Sequence, residues 1–192
     1  MINLNDKEYD GGATGPIFNG GDAGIANDIT ISVERKKPED KETAPDYKLV
    51  FKDAKGGTCN TAFWHIEKDN QYKTVDEQVA TRGKVFKHLL HAIYGADYQI
   101  PEFKSAEDML NTVMKLVNEG VKAGPKFRIF ANYGTTSSVK KYIQARTWVP
   151  FIEPMSVSIE DTRLESGNLD AMERLQADAP KATAAGGDDD WA

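Results

Sequence analysis

Tyr47-Lys48-Leu49-Val50-Phe51-Lys52, followed by Asp53-Ala54-Lys55-Gly56-Gly57 and the run from Thr58 to Ile66, is the stretch that sets the architecture. A short run of apolar and aromatic residues bounded by turn residues reads as a strand. The paired glycines accept positive φ cheaply, so the middle five residues read as a turn and the three pieces as a hairpin. Upstream, Ile29-Thr30-Ile31-Ser32-Val33 alternates strictly between apolar and polar, which predicts a half-buried strand. Glu34 to Pro45 between them is charged, holds two prolines and reads as a solvated loop. Residues 1–24 carry six glycines and few apolar anchors, which reads as a flexible Gly-rich arm.

Downstream of the hairpin the period changes. Val79, Val85, Phe86, Leu89, Leu90 and Ile93 recur near helical spacing, predicting a helix over Val75 to Tyr94 stopped by Gly95. Ser105-Ala106-Glu107-Asp108 resembles a capping box, with Asp in the fourth place, and opens a second helix that ends at Asn118-Glu119-Gly120. Strand pattern then returns over Lys126 to Tyr133 and Val139 to Phe151. The expected fold is therefore mainly β with an α insertion, about five strands plus two helices. That order suits a β-barrel of the OB-fold type. The barrel domain is expected over residues 25–155. Residues 156–192 read as a largely disordered acidic tail, with one weak helix around Asn168 to Gln176.

Charge supports that division. Of the chain's 24 basic and 30 acidic residues, residues 153–192 hold three and ten, leaving 21 basic and 20 acidic in the body. The whole-chain net charge of −6 thus hides a body near neutrality. No apolar run approaches the ~20 residues of a membrane helix, and the first residues lack a basic region followed by an apolar one. Cys59 is the only cysteine. A cytoplasmic protein without membrane contact is expected.

The last two strands carry the candidate chemistry. Along Lys126 to Tyr133, the residues Phe127, Ile129, Ala131 and Tyr133 share one face, and Lys126, Arg128, Phe130 and Asn132 the other. On the next strand Lys140, Tyr142, Gln144, Arg146 and Trp148 fall on one side. A face that met only water would be bland, whereas this one interleaves cations with rings. Cations neutralise phosphates and rings stack on unpaired bases, at roughly 1–3 kcal/mol per base. Lys48, Lys52 and Trp64 extend the patch. The competing reading buries Phe130, Tyr142 and Trp148 in a core, with the cations reaching outward past them. A second clue is Asp188-Asp189-Asp190-Trp191, three carboxylates beside a ring near the end of the chain. Such a peptide mimics phosphate and base together, and tethering gives it a local concentration in the ~mM range. A plain solubility tail is the alternative.

No cofactor or metal is expected. His88 and His91 stand three apart on the first helix without a patterned third ligand, and ordinary histidines are favoured. No phosphate loop, nucleophile elbow or His-Glu-x-x-His element is present.

Pro45-Asp46-Tyr47-Lys48-Leu49, Ala131-Asn132-Tyr133-Gly134 and the run from Tyr142 to Glu153 resemble the single-stranded DNA-binding proteins of tailed bacteriophages over roughly residues 25–155. The acidic tip is similar to the tails of that functional class, although here Trp191 is followed only by Ala192. The resemblance implies an OB-fold, a place in phage DNA replication, recombination or repair in the host cytoplasm, and contacts with replication or recombination proteins through the tail. The same stacking surface accepts RNA, and a second copy of the chain is a further candidate partner. Two rivals remain at this stage. One is a phage structural or assembly protein whose tails dock subunits. The other is a small nucleic-acid enzyme with a metal held by Asp46, Asp53 and Glu67.

Overall fold

The hairpin forms as its turn residues dictate. Asp53 Oδ1 accepts from the backbone N–H of Lys55 at 2.9 Å and of Gly57 at 2.8 Å, and Asp53 N–H donates to Gly57 O at 2.9 Å. Gly56 takes φ 91°, where a side chain would be strained. The computed structural model describes residues 16, 18–133, 143–145 and 150–164. Its strands are β1 (Gly24–Arg35), β2 (Tyr47–Lys52), β3 (Thr58–Phe63), β4 (Phe127–Tyr133), β5 (Ile143–Ala145) and β6 (Ile152–Pro154). Helices α1 (Val75–Tyr94) and α2 (Ala106–Gly120) lie between β3 and β4 in sequence.

Strand β1 is longer than its alternating centre suggests, because it serves two partners. Residues 30–35 pair with β2, and Gly24 to Ile29 pair with β4. The register shifts between Ala26 and Ile29, and Asp28 there adopts φ 57°. Such a bulge bends a strand and increases its twist. Every pairing is antiparallel, and the strand path runs β3-β2-β1-β4-β5. Its two ends, β3 and β5, approach each other, so the sheet curls toward a small barrel-like shape. The fold is mainly β, an open antiparallel sheet carrying two helices.

Of the strand expected over Val139 to Phe151, β5 falls within the range, residues 139–142 and 146–149 lie outside the described residues, and β6 begins one residue past its end. β5 pairs with Ala131 to Tyr133, whereas β6 pairs with Phe127 to Ile129. The two registers differ by five residues, so a single unbroken strand cannot make both sets of bonds.

The core lies between the inward side chains of the sheet and the apolar faces of the helices. Leu49 and Phe51 of β2, Phe86, Leu89 and Leu90 of α1, and Leu110, Val113 and Met114 of α2 are all buried there. Phe18 joins them at 2% exposure. Its neighbour Asn19 donates its N–H to Asp53 Oδ2 at 2.8 Å, and Pro16 lies beside Gly56. The Gly-rich start is therefore fastened to the hairpin by residue 18, earlier than the arm of 1–24 suggested.

Helix α1 opens with a complete capping box. Thr74 Oγ1 accepts from Glu77 N–H at 3.3 Å, and Glu77 Oε2 accepts from Thr74 N–H at 2.8 Å. At α2 the expected box is half made. Ser105 Oγ accepts from Asp108 N–H at 3.1 Å, but Asp108 Oδ2 turns to Lys104 N–H instead of Ser105. Among the described residues no helix is long and apolar enough to cross a membrane.

Two helical glycines have opposite environments. A Cβ on Gly83, inside α1, would meet nothing within 4 Å. One on Gly120, at the end of α2, would collide with Ile93 Cγ2 and lie 2.9 Å from the Tyr94 ring of α1. Gly83→Ala should therefore stabilise the protein by about 1 kcal/mol through helix propensity. Gly120→Ala should destabilise it by about 1–3 kcal/mol through overpacking. Chemical denaturation of both variants checks the opposite signs.

Candidate nucleic-acid interface

Strand β4 is paired on both edges, with β1 on one and with β5 and β6 on the other. Phe127, Ile129 and Ala131 enter the core as expected. On the opposite face Arg128 and Phe130 do not meet water. Arg128 is only 5% exposed; its Nη1 donates to Glu153 Oε1 at 2.7 Å and to Val157 O at 3.2 Å, and its Nε donates to Asn27 Oδ1 at 2.8 Å. Thr162 donates its hydroxyl to the same Glu153 oxygen at 2.6 Å. Phe130 is likewise 5% exposed. The expectation that Arg128 and Phe130 face solvent is thus corrected: the segment after β6 folds back over β4 and seals the cation against its partner. Glu153, counted above with the acidic tail, is that partner, and the fold continues to the buried Leu164. Lys126 remains exposed just before β4. Lys140, Tyr142, Arg146 and Trp148, and the tail residues Asp188, Asp189, Asp190 and Trp191, lie outside the described residues.

The outward face of β2 and β3 keeps what β4 loses. Tyr47, Leu49 and Phe51 point inward, so Lys48, Val50 and Lys52 point outward. Register places Ala62 beside Lys48, Asn60 beside Val50 and Thr58 beside Lys52. On the other flank stand Glu34, Ser32 and Thr30. Carried one step past Ile29–Phe127, the β1–β4 register brings Lys126 toward Thr30, whose other neighbour is Lys52. Among the described residues neither Lys48 nor Lys52 forms an ion pair. Trp64 continues the alternation after the inward Phe63 and is 50% exposed, its Nε1 donating to Thr43 O of the β1–β2 loop at 3.3 Å. Lys48, Lys52, Trp64 and Lys126 are therefore the sequence-predicted residues available on the surface.

Sequence reasoning missed Arg82, and it took His88 for an ordinary histidine without its partners. Arg82 of α1 donates to Trp64 O at 2.6 Å and lies 5.9 Å over the Phe63 ring. Partial burial pulls its pKa below the ordinary guanidinium value, against the field of Asp46. Helical patterning could have shown Arg82 to be close to the core face, but not which strand it meets. His88 joins α1 to the β6 region. Its Nε2 accepts from Phe151 N–H at 3.3 Å and Ile152 N–H at 3.4 Å, and its ring packs on Phe151.

The carboxylates of the metal-enzyme rival are held apart. Asp46 and Asp53 flank opposite ends of β2, roughly 20 Å apart along an extended strand. Asp46 Oδ2 accepts from His65 N–H, and Asp53 is committed to its turn. Among the described residues no three His, Cys, Asp or Glu side chains gather as a metal site. Against known families, curated proteins and solved structures, the chain finds no match.

Two stability predictions arise. Removing one member of a buried ion pair strands the other, so Arg128→Met alone or Glu153→Leu alone should cost about 3–5 kcal/mol. Combined, they should recover most of that loss, and denaturant midpoints of the three variants measure the coupling. The second concerns pH. Burial, with a smaller push from His91, lowers the pKa of His88 below 6.5 against the field of Glu153. The unfolded chain then binds the proton first, so stability falls as pH drops below about 6.5 toward the depressed folded value. Thermal melts should show this loss setting in as pH falls through about 6.5, and His88→Gln should flatten it.

Proposed function

We propose that this chain is a sequence-nonspecific single-stranded DNA-binding protein built on an OB-type barrel, acting in DNA replication, recombination or repair. Support for the barrel comes from the bulged β1 shared by β2 and β4, the helices inserted between β3 and β4, and the approach of β3 to β5. In OB-folds the face of the second and third strands takes oligonucleotides. The observation that carries the reading is the placement of Lys48 and Lys52 on that outward face, without ion-pair partners among the described residues, with the half-exposed Trp64 at its end. Phosphates meet the ammonium groups and an unpaired base stacks on the indole, whatever its identity. The bound strand is DNA in this proposal, although nothing in such a face discriminates against RNA. The acidic segment ending in Asp188-Asp189-Asp190-Trp191 competes for the cationic face and, when displaced, docks replication or recombination proteins.

Fluorescence anisotropy with a labelled oligothymidylate tests this at several salt concentrations. Lys48→Gln/Lys52→Gln should lower affinity about tenfold and reduce the salt slope by about 1.4, near 0.7 for each lost phosphate contact. Trp64→Ala should weaken binding by about 5- to 100-fold, the loss of one stacked base. Ending the chain after Leu164 should tighten binding. Equal affinity for duplex and single strand, or full affinity in the Lys48/Lys52 variant, overturns the reading.

A further inference from the structure

A groove of about 250 Å³ runs between β3 and the first half of α1, next to Trp64. Its apolar wall is Phe63, Ile66 and Val85, and its polar side chains include Lys73, Gln78 and Arg82. No carboxylate lines it, and the acids whose fields reach its two cations, Asp46 for Arg82 and Glu77 for Lys73, stand outside the lining. Among the described residues neither cation has an ion-pair partner. Arg82 uses a guanidinium N–H on Trp64 O, and Lys73 Nζ donates to Thr81 Oγ1 at 2.9 Å, which leaves donors on both groups for an anion. Gln78 spends its Nε2 on the Lys68 and Lys73 carbonyls, leaving its amide oxygen as an acceptor. Arg82 is partly desolvated, and a phosphate in the groove would give it a direct partner beyond the field of Asp46. The volume falls below the ~300–1,000 Å³ of sites for free drug-sized ligands, which suits one unit of a polymer.

We infer that this groove holds one nucleotide of the bound strand, with its phosphate between Lys73 and Arg82 and its base against the Ile66–Val85 wall. Helix α1 thereby becomes part of the nucleic-acid surface, and the strand turns at Trp64 from the β2–β3 face toward the helix. This rests on the single-strand reading above and extends it to residues that the reading does not use.

The test titrates the full chain with the same labelled oligothymidylate. Lys73→Gln, at an exposed position, should lower the salt slope by about 0.7 and the affinity several-fold. Lys73→Gln/Arg82→Gln should lower the slope by about 1.4 and the affinity about tenfold, while Lys73→Arg/Arg82→Lys should keep the wild-type slope. Melting temperatures identify any variant whose loss comes from unfolding, and Lys73→Gln alone then decides. Wild-type affinity and slope in Lys73→Gln, alongside weakened binding in Lys48→Gln/Lys52→Gln, overturn the groove assignment and leave the single-strand reading intact. A wild-type chain that binds no oligonucleotide removes both.

Discussion

Strand β1 must satisfy two partners that lie in different directions. Its second half pairs with β2 and its first half with β4, and only a register shift near Asp28 lets one backbone do both. A flat β1 would leave β4 splayed away from β2 and open the space that Phe51, Leu89 and Phe127 fill. The bend also leaves Asn27 beside β4, where its amide oxygen receives Arg128. Backbone geometry at the bulge and the ion chemistry of the opposite face are thus two consequences of one irregularity.

The buried Arg128–Glu153 pair works as a latch more than as a source of net stability. Desolvating both charges offsets much of their attraction. The pair also determines where the chain goes after β6: Val157 O and Thr162 Oγ1 are drawn to the same two side chains, bringing the following segment across β4. That cover removes the Arg128 cation from the surface. On the β2–β3 side Lys48 and Lys52 stay outward, among residues that are small or polar apart from Val50.

Much of the fold was legible in the residues. The hairpin declared itself through Asp53 and Gly56-Gly57, and α1 through its apolar spacing and the terminal Gly95, because each signal is local. The face of β4 was not legible in the same way. Arg128 alternating with Phe130 looks like a binding surface until its partner is known, and that partner stands 25 residues later, among the acids that bias the chain's charge. The break between β5 and β6 depends on a register difference that neither segment reveals alone. Lys48 and Lys52 were placed outward because β2 alternates without exception. Arg82 was missed because its relevance comes from the strand it meets.

Phe18, Asn19 and Pro16 fix the route by which the N-terminal part enters the barrel. Phe18 plugs the core, Asn19 grips Asp53, and Pro16 abuts Gly56 at the hairpin tip. The chain therefore comes in at the tip that follows Lys52. Whatever precedes Pro16 approaches the fold at the Lys52 end of β2. Trimming the front as far as Gly24 would take away an aromatic plug and leave a hole under the sheet.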